Sequence, residues 1–260
     1  MFEPVIGVQL YTLRNHTKTA EDLDETLGRL SALSVRDVQL SAVGPSISAE
    51  TQRQLLQKYG MRVCVTHRAY DRIRDDLPAL IEEHRVLGCD ALGLGWAPEE
   101  QRQTEEDARA FVKTLQTAAD TLAEHGMTFQ YHNHDFEFAP LPGSDLSLMD
   151  LMLRETNPAT FRFIPDVAWA QVAGLDPTAF LSTLQGRVKV VHFKDYVPGP
   201  DGRPQFVSLG QGVVDLKACY DVCRQLEMPY IMYEQDNNWT NEDPFLATEE
   251  SWRFLQSLHG

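Results

Sequence analysis

The sequence predicts an α/β fold, a single (β/α)8 TIM barrel spanning residues 1–260. Three observations predict it. Short apolar runs rich in β-branched or aromatic residues alternate with helical patterns from end to end, the signature of a parallel sheet. Eight such pairs can be read along the chain, which favours closure into a barrel over an open sheet. The length, 260 residues, is close to the roughly 250 of one such barrel.

Taken in order, VIGVQLYTL opens the first unit, followed by an amphipathic segment near Asp22–Leu33 with leucines at 23, 27, 30 and 33. RDVQLSAV precedes a helix near Ser48–Tyr59, and MRVCVTH one near Leu77–Leu87. ALGLGW leads to Glu105–Glu124, MTFQYHNH to Leu146–Arg154, and FRFIPDV to Pro177–Leu184. RVKVVHFKD leads to Leu216–Leu226, and PYIMYEQD to a closing helix, Phe245–Leu258. Turn chemistry marks the helix-to-strand joints at Tyr59-Gly60, Leu87-Gly88, His125-Gly126, Asn157-Pro158 and Gln185-Gly186. The one insertion, YVPGPDGRPQFVSLGQG, is rich in Gly and Pro and reads as a long loop on the active-site face. No G-x-G-x-x-G follows the first strand, which counts against a dinucleotide fold.

Composition narrows the function classes. Hydrophobic residues make up 43% and charged residues 23%, a globular balance. The formal charge is −15, from 23 Lys+Arg against 38 Asp+Glu. So acidic a surface repels phosphate backbones and anionic lipid, so neither nucleic acid nor membrane is an expected partner. A small anionic substrate stays open if cations are focused at the mouth of a site. No apolar stretch approaches the ~20 residues of a membrane span, and the N-terminus lacks the pattern of a secretory signal. Cys64, Cys89, Cys219 and Cys223 form no C-x-x-C pair and read as free core thiols, in keeping with a cytoplasmic protein. A homo-oligomer is admitted, with Trp239 and Trp252 as candidate contacts.

Four metal-capable side chains each follow a short apolar run: His132, Asp166, His192 and Glu234. Polar groups at the C-terminal ends of barrel strands are where such a fold builds its active site. Two imidazoles and two carboxylates could complete one divalent-metal site, and mixed N/O ligation suits Mn, Zn, Co or Fe better than Mg. His132 and His134 alternate on one face of their strand, with Asn133, a candidate substrate-binding residue, opposite. For His134, ligation, substrate binding and a supporting hydrogen bond stay open. Asp166 either ligates or caps the following loop. His192 and Lys194 share a face; Lys194 is a cation for a substrate oxyanion, the alternative being an ion pair with Asp195 or another rim acid. His67 and Gln9, at the ends of the third and first strands, are further candidates for substrate hydroxyls, as is Tyr11.

At these residues the chain resembles the xylose isomerase-like TIM-barrel superfamily, in its sugar phosphate isomerase/epimerase branch. The resemblance runs through GVQLYTLR, YHNHDFEF, PDVAWAQVAGLDP, VHFKD, LGQGVVD and YEQD, so it covers essentially the full length. It implies a divalent metal held by two acidic strand-end residues, an Asp and a His, which maps onto Glu234, Asp166, His192 and one further position. At that position ketose epimerases usually carry a Glu, and this chain has His132, which puts a two-glutamate proton relay in doubt. Glu137 is an available carboxylate, but it lies five residues on and in the opposite strand phase. The endonuclease branch carries Asp-x-x-His on strand six, where this chain has Trp169, so one metal is expected.

The resemblance implies proton abstraction beside a carbonyl, through an enediolate. Isomerisation, epimerisation and dehydration all begin with that abstraction. The expectation is a metal-dependent isomerase or epimerase of a sugar or keto-sugar. Glu234 would be ligand and acid/base, His134 a second acid/base or binder, Lys194 the oxyanion partner, and Trp169 a platform for a ring face. A dehydratase of a keto-polyol, such as an inosose, is the alternative, as is a non-catalytic sugar-binding barrel.

Overall fold

A computed structural model describes residues 2–259. Eight parallel strands follow the expected runs: β1 (Val5–Gln9), β2 (Asp37–Leu40), β3 (Arg62–His67), β4 (Ala91–Leu94), β5 (Thr128–His132), β6 (Phe161–Ile164), β7 (Val190–Phe193) and, after an inserted ribbon, β10 (Tyr230–Tyr233). Their order is β6-β5-β4-β3-β2-β1-β10-β7. Backbone bridges Phe163↔Val188 and Asp166↔His192 join the two outer strands, so the sheet curls into a near-closed ring. The bond from His192 N–H to Pro165 O (2.8 Å) is part of that seam.

Helices cover the outside: α1 (Ala20–Ala32), α2 (Ala49–Lys58), α3 (Tyr70–Asp75), α4 (Leu77–Leu87), α5 (Glu105–Glu124), α6 (Leu148–Glu155), α7 (Val167–Val172), α8 (Pro177–Thr183), α9 (Leu216–Gln225) and α10 (Pro244–Leu258). Their starts are set by capping chemistry. Thr19 and Ser147 each form a reciprocal capping box with an aspartate three residues on. The α4 helix ends on Gly88 at φ +71°, a left-handed turn that glycine adopts without a Cβ penalty. Leu23, Leu27 and Leu30 of α1 are fully buried, as their spacing predicts. All four cysteines are free and buried.

Two features differ from the sequence expectation. The insertion after β7 is an antiparallel ribbon rather than a structureless loop, β8 (Asp195–Pro198) pairing with β9 (Pro204–Val207). The Gly199–Arg203 turn closes it, and Phe206 is buried beneath it. Asp195 anchors its base by accepting backbone N–H groups of Tyr196, Gly210, Gly212 and Val214 at 2.9–3.1 Å. Secondly, Trp252 packs inward, only 4% exposed, and its Nε1–H donates to Leu33 O, so it is spent on the core rather than on a surface contact. Among the described residues no helix is long and apolar enough to cross a membrane.

Period-two alternation decides what faces the barrel interior. On β7 and β10 the inward positions are Val190, His192 and Lys194, and Met232 and Glu234. Low in the barrel these are apolar, and Cys64, Val65, Ala91, Ile164, Val190 and Met232 form a small cluster there. At the C-terminal end they turn polar.

Candidate metal and substrate site

His132, Asp166, His192 and Glu234 are all buried, and each offers a ligand atom such that the four atoms lie within 4.8 Å of one another. Four points so spaced share a centre no more than about 3 Å from each, against ~2.0–2.2 Å in a bound site. His132 Nδ1, Asp166 Oδ2, His192 Nδ1 and Glu234 Oε2 are buried without a well-formed hydrogen bond, although Lys194 lies 3.2–3.3 Å from the two carboxylate oxygens and His192 Nδ1 lies 2.9 Å from Glu234 Oε2. Buried polar atoms so poorly paired are costly, and four gathered together would be satisfied by a cation. The cluster could therefore hold a metal ion.

Each donor is placed by its strand. His132 ends β5 and Glu234 follows β10 directly. Asp166 caps α7: its Oδ1 accepts Trp169 N–H at 2.9 Å, leaving Oδ2 for the centre. Of the two sequence readings of Asp166 the cap is observed, and it leaves the second oxygen available for the other. His192 Nε2 donates to Gln39 Oε1 (2.8 Å), which turns its Nδ1 toward Glu234 Oε2 at 2.9 Å. That approach calls for positive charge, on the ring or beside it.

Lys194 supplies part of it. Its fully buried ammonium lies 3.3 Å from Asp166 Oδ2, 3.2 Å from Glu234 Oε2 and 3.0 Å from Asp236 Oδ2. Asp195, its sequence neighbour, is not a partner. Burial works to lower the Lys194 pKa, but the three carboxylates outweigh it and hold it above the ordinary lysine value. Burial would likewise raise the Glu234 carboxyl, and Lys194 with His192 more than offsets this and holds it low. Asp166 stays raised, because burial outweighs Lys194 there. Burial, reinforced by the neighbouring imidazoles, pushes His132 well below the usual histidine range and His67 down to about 3, so both rings are neutral and able to donate lone pairs.

Above this floor opens a cavity of about 1030 Å³, lined by Tyr11, His67, Trp96, His132, His134 and Trp169 among others, with Lys194 and Glu234 at its base. The size suits a small organic ligand. His67 packs against β4 and the residues beyond it, where only glycine leaves room: a Cβ on Gly95 would lie 2.5 Å from His67 Nδ1. His134 stacks on Phe136 (5.5 Å, 10°) and meets Trp169 at 5.5 Å. Lys194 Nζ sits 5.6 Å from the Trp169 ring.

Gln9, Asn133 and Glu137 turn elsewhere. Gln9 is fully buried, its Oε1 accepting Tyr11 N–H and its Nε2 reaching 3.5 Å from His67 Nδ1. Asn133 Oδ1 accepts Asp166 N–H at 3.1 Å, holding the loop that presents the Asp166 carboxylate. Glu137 is fully buried, bonded to Tyr131 OH (2.6 Å) and His134 N–H (2.7 Å), and so orients the His134 turn instead of joining the cluster. Sequence reasoning missed Gln39, Asp236, Arg14 and Arg68. Gln39 carried a signal, a polar residue in the middle of the apolar run DVQL, and Asp236 lay two residues beyond a singled-out glutamate.

Comparison with known proteins agrees with this architecture. No curated protein matches the sequence. Among solved structures, a sugar phosphate isomerase/epimerase from Parabacteroides distasonis superposes with a TM-score of 0.82 at 18% identity, over 99% of this chain and 94% of that one. An L-ribulose 3-epimerase gives 0.72 at 14% identity, over 98% and 94%. A probable 3-DHS dehydratase from Bacillus anthracis, involved in petrobactin synthesis, gives 0.71 at 10% identity, over 97% and 98%. At such identities the likeness establishes the fold. Residues 19–258 match the family described as xylose isomerase-like TIM barrel, and the chain belongs to that family.

Proposed function

We propose that the protein is a divalent-metal-dependent isomerase or epimerase of a sugar or keto-sugar. The observation that carries this reading is the gathering of two imidazoles and two carboxylates, poorly satisfied by hydrogen bonds, beside the Lys194 ammonium at the floor of a cavity. His132, Asp166, His192 and Glu234 would hold the ion, with Mn, Zn, Co or Fe favoured over Mg by the two imidazoles. When bound, the ion supplies positive charge beside two adjacent substrate oxygens and so acidifies the C–H between them.

The chain's own groups do the rest. Glu234, kept ionised by Lys194, would accept a proton at the floor. His134, partly exposed on the cavity wall, would be the second acid/base or a substrate binder. Lys194 Nζ, held rigidly by three carboxylates, would stabilise negative charge on a substrate oxygen. His67 would contact a substrate hydroxyl, and Trp169 would cover an apolar ring face. Gln9 and Asn133 would act behind this layer, positioning His67 and Asp166.

A dehydratase of a keto-polyol is the second reading. His132 favours it, because the floor then lacks the strand-five carboxylate that a two-glutamate relay would use. Incubation with candidate keto-sugars and inososes in D₂O, followed by NMR, separates these. Deuterium entering a C–H beside the carbonyl, abolished by chelator, supports the isomerase reading; loss of water supports the dehydratase. Ligand-dependent melting shifts without exchange or elimination would leave a binder and sink both.

A further inference from the structure

Two guanidinium groups on the cavity wall have no close counter-charge, although the chain carries acid in excess. Arg14 donates Nη1 to Tyr11 O (2.9 Å) and Nη2 to Asp236 O (2.7 Å), both neutral carbonyls, and stacks on Tyr11 at 4.4 Å. Among the described residues no carboxylate lies within 4.0 Å of it. Arg68 follows His67 and stands where the main cavity meets a second one of about 820 Å³. Its side chain is 14% exposed, its Nε has no hydrogen-bond partner, and its one acid, Glu83, is 3.7 Å away. That same Glu83 is claimed more closely, at 2.8 Å, by Arg72. The remaining wall arginine, Arg74, is paired with Asp75 and differs in this respect. Asp71 and Glu100 also line the cavity, and neither forms an ion pair with Arg14 or Arg68.

The floor has the opposite balance. Asp166, Glu234 and Asp236 against Lys194 leave two negative charges, which a divalent ion would cancel. With the floor so neutralised, Arg14 and Arg68 remain as cavity-lining cations with no carboxylate closer than 3.7 Å. Guanidinium forks of this kind match carboxylate and phosphate oxygens. We infer that Arg14 and Arg68 form an anion-reading wall, so that the substrate carries a carboxylate or phosphate group away from its reacting carbons. The inference deepens the proposed function and rests on its placing the reacting carbons at the metal floor.

The test is calorimetric binding of D-fructose, D-fructose 6-phosphate and 2-keto-D-gluconate to the metal-loaded protein, its R14Q, R68Q and double variants, and R14K and R68K as charge-retaining controls. At least one anionic probe is expected to bind about tenfold or more tighter than fructose, as a charge-assisted hydrogen bond implies, with the preference falling as salt is added. The phosphate and carboxylate arms identify which oxyanion is read. The preference ratio collapses in R14Q or R68Q and is partly kept in the lysine variants, while bound metal by elemental analysis stays unchanged. Equal affinity for all three probes, no binding of any at millimolar concentration, or a preference that survives in the double variant overturns the inference. Wild-type deuterium exchange, run alongside, separates the two ideas: exchange without charge preference sinks only the anion wall, and charge preference without exchange sinks only the catalytic reading.

Discussion

The Gln39 amide joins two imidazoles: its Oε1 accepts from His192 Nε2 and its Nε2 approaches His67 Nε2, each at 2.8 Å. His192 is thereby held with Nδ1 toward Glu234, the orientation in which that nitrogen could ligate a metal. Gln39→Ala removes both contacts from buried rings. Metal affinity, measured by competition with a chelator, should fall about 10–100-fold, as losses of outer-shell partners do. Unfolding free energy should fall by about 1–3 kcal/mol. Unaltered metal affinity would show that Gln39 does not orient His192.

Removing a donor tests the cluster directly. Asp166→Ala and His192→Ala should each abolish stoichiometric metal by elemental analysis and the thermal stabilisation that added Mn²⁺ or Zn²⁺ confers, worth about 2.7 kcal/mol at a hundredfold excess over Kd. Full metal content in a folded variant would reject the ligand set.

Lys194→Met leaves Asp166, Glu234 and Asp236 without their buried ammonium. Breaking such a pairing on one side costs about 3–5 kcal/mol. Added divalent metal should restore more stability to this variant than to the wild type, because the ion then neutralises charges that lysine no longer does. Equal metal-induced shifts in Tm would contradict this.

Acid lability should trace partly to His84, away from the site. Its Nδ1 donates to Leu80 O (2.7 Å) and its Nε2 accepts from Thr66 (2.8 Å), and burial lowers its pKa from 6.5 to about 4. The unfolded chain therefore binds a proton that the folded one refuses between these values. The stability of the neutral ring is fully present above pH 6.5 and is lost as pH falls toward 4, on the order of 3 kcal/mol in all. His84→Gln should be less stable at neutral pH and flatten the pH dependence of urea unfolding across that window by about one proton. An unchanged slope would refute the assignment.

Asp195→Ala withdraws the acceptor of four backbone N–H groups at the base of the ribbon. Amide exchange should accelerate across residues 196–214 while the barrel strands stay protected. Uniform protection would mean the ribbon is held by other contacts.

Much of this was legible in the sequence because strand periodicity is local. Alternation along VVHFK and IMYE places His192, Lys194 and Glu234 inward whatever the rest of the chain does. Glu137 was less legible: its distance from His132 and its strand phase argued against ligation, but only its bonds to Tyr131 and His134 showed its task. Arg14 and Arg68 were invisible, since the want of a close counter-ion is a property of neighbours in space.

The sequence by itself determined the barrel, its family resemblance and the four strand-end residues that cluster, because apolar patterning and residue type are written in contiguous stretches. Tertiary structure alone decided that β2, β6, β7 and β10 bring Gln39, Asp166, Lys194 and Glu234 into contact, and hence which lone pairs face one point. Those contacts span large separations in the chain, and Coulomb and hydrogen-bond energies depend on distance and orientation, which only closure of the ring sets.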